Sequence, residues 1–381
     1  MKQRKQVVLD FIKKETVLSI AVLLAVISCF FVKPDQKYLA YPDYRVLAIL
    51  FCLMAVMAGL QKLGLFERAG CFLLKKAKNQ RQLELFLIFL CFFCSMFMTN
   101  DVALLTFVPF ALLTLKMAKL EQRIAFVVIF QTIAANLGSM FTPIGNPQNL
   151  YLYNCTGMNW ADFLLFLFPY VLISGIMIFS IVLLSNRKTT EIQVHFEETN
   201  VIELQHSRKK LFFYIILFGM SILVVAKILP YPIVFAIVVV CIGIIDREIL
   251  KKVDYSLLFT FFFFFIFIGN MERISFINEL LQKAVTGHEM LSGILLSQFI
   301  SNVPAALLIS GFTKDYRALL LGVDFGGLGT LIASMASLIS YKFFVNAYCE
   351  EKRSYLLQFS VYNVIFLIIL VLSYVVKSVL I

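Results

Sequence analysis

Two short polar stretches stand in the middle of long apolar runs: Thr99-Asn100-Asp101 within Leu83–Leu115, and Ser301-Asn302-Val303-Pro304 within Leu291–Phe312. A helix starting at such a stretch aims bare N–H groups and a partial positive charge at a ligand, which suits an anion. The helix that ends there presents carbonyls, which suit Na⁺. Thr99, Asn100, Ser301 and Asn302 carry short polar side chains able both to cap these helices and to coordinate. Two further stretches, Gly138–Asn149 and Gly326–Thr330, weaken otherwise apolar helices through Gly138, Pro143, Gly145 and Pro147, and through Gly326, Gly327 and Gly329. Both are expected to unwind and to offer oxygens to a cation, the first from Gly138, Ser139, Thr142, Gly145 and Asn146, the second from Gly326, Gly327, Gly329 and Thr330. Only two carboxylates fall well inside the apolar runs, Asp101 at the first tip and Asp324 ahead of Gly326. A carboxylate at membrane depth is costly, so each reads as a functional group that binds Na⁺ or carries a proton.

The elements that must position these residues follow from composition. Of 381 residues 61% are apolar and 15% charged, against about half and a quarter in soluble domains, which excludes a water-soluble enzyme. Apolar runs long enough to cross a hydrocarbon core predict an all-α polytopic membrane protein, its partner the lipid bilayer. Spans are expected at 17–32, 45–61, 124–152, 160–184, 211–228, 231–246, 255–270, 318–343 and 356–378. The segments 83–115 and 291–312 are read as re-entrant hairpins, because a full crossing by either would put later basic loops on the wrong side. This gives about nine transmembrane helices plus two hairpins, with the N-terminus cytoplasmic and the C-terminus outside. The net charge of +11 is then topology, most Lys and Arg lying in the cytoplasmic loops, and no nucleic-acid partner is implied. Tyr151, Tyr153 and Trp160 fit an interfacial aromatic belt, and the Phe261–Phe265 run faces lipid or a neighbouring helix.

Other signals are bland. The eight cysteines show no framework spacing, and Cys91-Phe92-Phe93-Cys94 lacks a second ligand pair. His195, His206 and His288 form no cluster, so no transition metal and no cofactor beyond a coupling Na⁺ or H⁺ is expected. No GxxxxGK[ST] loop is present, which argues against ATP-driven pumping, and no constellation for intramembrane catalysis appears, so the chain is not read as an enzyme.

The two halves resemble each other in order. Gly59-Leu60-Gln61-Lys62 matches Gly269-Asn270-Met271-Glu272, the tip at Asn100 matches the tip at Asn302, and the stretch from Gly138 aligns with that from Gly326. The expected topology runs the halves in opposite senses: residues 1–184 form a first repeat, 185–230 a cytoplasmic loop and linker span, and 231–381 an inverted second repeat. Inverted repeats with broken helices at the midplane give alternating access a structural basis.

The four motifs resemble those of the ion transporter superfamily, which includes divalent anion/sodium symporters, citrate transporters, arsenite permeases and a group of sodium/proton antiporters. The resemblance runs from about Arg45 to the end of the chain. It implies a secondary active transporter in the plasma membrane, moving a carboxylate or inorganic oxyanion with Na⁺ or H⁺. The substrate would be held by Thr99, Asn100, Asp101, Ser301, Asn302, Val303 and Pro304. Each tip would pair with its facing unwound helix around a cation, and a homodimer is implied weakly. Where symporters carry Ser-Asn-Thr at both tips, this chain has Asp101 and Val303-Pro304, closer to the arsenite-permease and antiporter branches. Arsenite efflux or sodium/proton exchange is therefore the alternative.

Overall fold

The computed structural model describes residues 15–66, 70, 77–185 and 207–380. The basic N-terminal stretch and the hydrophilic boundary around 185–210 fall largely outside them, as do Cys71, His195 and His206. The described residues form seventeen α-helices and no strand. In chain order they are α1 Thr16–Phe31, α2 Tyr44–Lys62, α3 Gln80–Cys94, α4 Asn100–Met117, α5 Ile124–Ser139, α6 Pro147–Thr156, α7 Trp160–Ser185, α8 Ser207–Val225 and α9 Tyr231–Ile245. There follow α10 Arg247–Leu250, α11 Tyr255–Glu272, α12 Ser275–Val285, α13 Glu289–Ile300, α14 Asn302–Ser310, α15 Tyr316–Gly326, α16 Met335–Ala347 and α17 Lys352–Leu380.

Five of these segments are long and apolar enough to cross a membrane: α2, α4, α7, α11 and the stretch Cys349–Lys377 that includes most of α17. The helix edges differ from the expected spans at several points. The runs expected as single spans at 124–152 and 318–343 are each two helices, α5/α6 and α15/α16, separated by the glycine-rich breaks. The hairpin arms extend beyond their expected limits, α3 starting at Gln80 and α13 at Glu289.

The sequence sets the helix starts. Asp43, Asn79, Asn146, Asp254 and Asp315 each accept a backbone N–H from three residues on, which satisfies one bare donor of the first turn. Pro147 opens α6, where a missing N–H costs nothing. Asp254, at the mouth of α11, has its carboxyl pushed up by partial desolvation among the helix ends; the Leu257 N–H pulls the other way and nearby Glu15 adds to the rise.

Between apolar helices in lipid, close packing and hydrogen bonds do the holding. Gly293 of α13 and Gly322 of α15 let the two backbones touch: a Cβ on Gly322 would lie 2.5 Å from the Met290 carbonyl oxygen. At the base of the first helix pair, Arg123 grips fully buried Glu84 through two bonds of 2.8 and 2.9 Å and lies 4.2 Å above the Phe126 ring. Leading helices pack across the chain, α1 on α11 and α9 on α2. Ser28 of α1 accepts from Asn270 of α11 at 2.8 Å. Phe261, Phe264 and Phe265 are buried in helix contacts. Tyr153 is also buried, packed on Trp160 and Phe163, and Tyr151 reaches inward to Ser310; neither tyrosine faces the interface that an aromatic belt would require.

Candidate functional site

Both tips begin a helix with the same device. The Asn100 side-chain oxygen accepts the Asp101 N–H at 3.0 Å, and the Asn302 oxygen accepts the Val303 N–H at 3.0 Å. The approaches differ. Between α3 and α4 the chain turns over five residues ending at Thr99, in ordinary extended backbone. Between α13 and α14 a single residue, Ser301, reverses the chain at φ 76° and ψ 154°, a region that favours glycine. Neither Thr99 nor Ser301 makes a side-chain cap to its helix.

The breaks face the hairpin arms through matching contacts. The Thr142 hydroxyl donates to the Met96 carbonyl, and the Thr330 hydroxyl donates to the Gln298 carbonyl at 3.0 Å. A Cβ on Gly138 would lie 2.2 Å from the Phe92 carbonyl oxygen, and one on Gly326 would lie 2.7 Å from the Ser297 hydroxyl. Several carbonyls expected to meet a cation are hydrogen-bonded instead. Asn149 donates to the Met140 and Thr142 carbonyls at 2.9 and 3.3 Å, and Gln298 to those of Gly326 and Leu328 at 2.9 and 3.1 Å. Gly145 packs against Ser139, and Asn146 donates to the Ser139 hydroxyl at 3.2 Å.

A buried amide that sequence reasoning did not single out joins these parts. The oxygen of Asn136, on α5, accepts from Asn100 at 2.9 Å and from Ser334 at 3.0 Å, while its nitrogen donates to the Gly327 carbonyl at 3.3 Å. The first tip is thereby tied to the second break. The second tip reaches the same break through the Asn302 N–H on the Ala333 carbonyl, at 2.9 Å. Asp324, on α15, faces the first break instead, toward the side chains of Asn146, Gln148 and Asn149. It is 2% exposed, and the three amides approach its carboxylate without a well-formed hydrogen bond to either oxygen. One oxygen each of Asp101, Gln148 and Asn149 is likewise buried without a partner. Isolated polar residues in apolar runs are the signal that could have found Asn136 and Gln298.

The two tips meet at one cavity of about 220 Å³. Its floor is Asn100, Asp101, Ser301, Asn302, Val303 and Pro304, with Pro147 and Gln148 from the first broken helix and Ser334 and Met335 from the second. Thr99, Gly138, Ser139, Thr142, Gly145, Asn146, Asp324, Gly326, Gly327, Gly329 and Thr330 are not part of this lining, and Thr330 is exposed. The walls climb to Glu15, Asp254 and Lys342 at the helix ends on one side. Outside this lining, Tyr151 and Ser310 share a 2.8 Å hydrogen bond, and Asn154 donates to Asp43 at 2.8 Å. Among the described residues the ionisable lining is Glu15, Asp101 and Asp254 against one Lys342, with Asp101 and Asp254 close enough to repel.

A family model described as citrate transporter matches residues 7–318. The chain belongs to the citrate transporter family. It is 31% identical over 330 residues to an uncharacterised transporter of Methanocaldococcus jannaschii, covering 85% of this chain and 87% of that one. It is 28% identical over 330 residues to the inner membrane protein YbiR of Escherichia coli, covering 84% and 86%. A silicon efflux transporter of Oryza sativa matches a shorter stretch, 31% over 154 residues, which is 40% of this chain and 31% of that protein. A citrate transporter family member with these apolar helices is a multi-pass membrane transporter, so the exposed side chains on α7 and α17, Leu165, Ile176, Leu357 and Leu372 among them, face lipid.

Proposed function

We propose that this family member is a secondary active transporter that carries a small anion, a carboxylate or inorganic oxyanion, together with Na⁺ or H⁺ by alternating access. The observation that carries the reading is the single cavity floored by both tips and by both broken helices. The N-terminus is cytoplasmic and the C-terminus outside, so the cavity is open to the cytoplasm and the Tyr151–Ser310 side is the closed outer gate of a plasma-membrane protein. The halves are an inverted repeat of nine spans and two re-entrant hairpins. The identical Asn100 and Asn302 caps, the Thr142 and Thr330 bonds to the facing hairpin, and the crossed packing of α1 and α9 support it.

An anion entering beside Asp101, with Asp254 and Glu15 above, meets three carboxylates and one lysine among the described residues. A cation or proton must accompany it, and the orphaned oxygens of Asp101 and Asp324 are where the coupling charge acts. Proteoliposomes presented with external citrate, sulfate, phosphate or arsenite, with Na⁺ and pH gradients varied separately, test this. One anion accumulates only when an inward Na⁺ or H⁺ gradient is imposed, with saturation, and Asp101→Asn or Asp324→Asn abolishes accumulation. Unsaturable flux, or ion dependence intact in Asp101→Asn, overturns it.

The carboxylate-rich lining, together with the partial match to a silicon efflux transporter, favours a second reading within transport: efflux of arsenite, or sodium/proton exchange. Na⁺-driven pH changes with no added anion separate exchange from symport. A homodimer belongs to the same proposal, and cross-linking in membranes tests it.

A further inference from the structure

One side chain fills the second break. The carboxamide nitrogen of Gln298 lies 2.9 Å from the Gly326 carbonyl oxygen and 3.1 Å from those of both Leu328 and Ile294. Its oxygen accepts the Thr330 N–H at 2.9 Å. A nitrogen with two hydrogens thus serves three carbonyls, a cage that is rich in acceptors. The cause is the end of α15, where unpaired carbonyls and the negative end of the helix dipole call for something positive. Gly329, at φ 112°, wraps the amide so closely that an added Cβ would lie 2.3 Å from the Gln298 side-chain oxygen. The first half has no carboxamide on its hairpin arm at the matching place. Met96, whose carbonyl takes the Thr142 hydroxyl as that of Gln298 takes the Thr330 hydroxyl, offers a thioether with no donor. There the carbonyls are met by Asn149 from the broken helix itself, and orphaned oxygens remain on Gln148, Asn149 and Asp324.

We infer that the Gln298 carboxamide stands in the place of a cation at the second break, so that this half takes no Na⁺ and the coupling cation is confined to the first break and Asp324. The inference gains its meaning from the transporter reading, but its test needs no substrate. Gln298→Glu keeps the shape and the acceptor for the Thr330 N–H while turning an oxygen toward the carbonyls. Gln298→Ala removes the group. Purified in detergent at alkaline pH and constant ionic strength, both variants should melt several degrees below wild type in choline chloride. Replacing choline by Na⁺ or Li⁺ should restore most of that loss, more in Gln298→Glu, and by more than the same exchange does for wild type.

Variants that melt with wild type in choline overturn the inference, because the cage then needs no donor. Variants that melt low with a Na⁺ response no larger than wild type's also overturn it, leaving Gln298 a structural clamp. If wild-type proteoliposomes carry none of citrate, sulfate, phosphate or arsenite, the transporter reading fails while the thermal result on Gln298 stands.

Discussion

The two hairpin tips perform one task with different means. The first turns over five residues in relaxed backbone and is held from the side, by Asn100 on Asn136. The second turns on Ser301 alone, in a conformation that favours glycine, and is held by its backbone, through the Asn302 N–H on the Ala333 carbonyl. The groups behind them are exchanged as well. An amide, Asn136, stands fully hydrogen-bonded on α5, whereas a carboxylate, Asp324, stands without a well-formed hydrogen bond on α15. A satisfied group specifies one arrangement of its neighbours, while an unsatisfied one leaves a demand for another species to meet. Asn136 therefore fixes how the first tip meets the second break, while Asp324 of α15 turns its unmet demand toward the first break.

Making the halves alike should do the most damage. Asn136→Asp places an uncompensated charge among buried groups and turns an oxygen on the Gly327 carbonyl, which should cost about 3 kcal/mol or more, seen as the largest loss of melting temperature in detergent. Gly138→Ala drives a methyl to 2.2 Å from the Phe92 carbonyl oxygen, whereas on Gly326 the methyl meets Ser297 and the Ile294 Cα at 2.7 to 3.0 Å, a milder overlap. The first should lose about 2 to 3 kcal/mol and the second about 1 kcal/mol, and equal losses would erase the contrast between a tight and a looser break. Asn100→Ala removes both a cap and the bond to Asn136, so it should cost about 2 kcal/mol against about 1 kcal/mol for Asn302→Ala, whose backbone bond survives. Ser301→Gly relieves backbone strain and should stabilise by a few tenths to about 1 kcal/mol, while Thr99→Gly in relaxed backbone should destabilise by a similar amount. The smallest effect belongs to Asp254. Its proton is held more tightly in the fold than in the unfolded chain, so ionisation opposes folding as pH rises through the carboxylate range. Asp254→Asn should raise the melting temperature slightly at neutral pH, and the gain should vanish in acid.

The tips and breaks were legible because Ser-Asn, Gly and Pro interrupt apolar runs, and the structure brings both tips to one cavity. The residues that join them were not. Asn136 and Gln298 act on groups in other helices, while Gln148 and Asn149, inside the stretch expected to unwind, turn to Asp324 and to carbonyls of the break itself; one sequence carries no record of which amide meets which group. Lys342 counted only among the basic loop residues that set orientation, and Glu15 and Asp254 were not singled out, although all three line the cavity. Tyr151 and Tyr153 carried the composition of an interfacial belt, but the turn of α6 directs them inward, to Ser310 and Phe163.

The crossed packing of the leading helices sets a timetable for assembly. Ser28 and its partner Asn270 lie 242 positions apart. During synthesis α1 therefore enters the bilayer long before α11 exists, and its mating face must be shielded meanwhile by lipid or by an insertion factor. Because non-local contacts form late and slowly, the first half made alone should stay loosely assembled and open to proteases until the second half arrives.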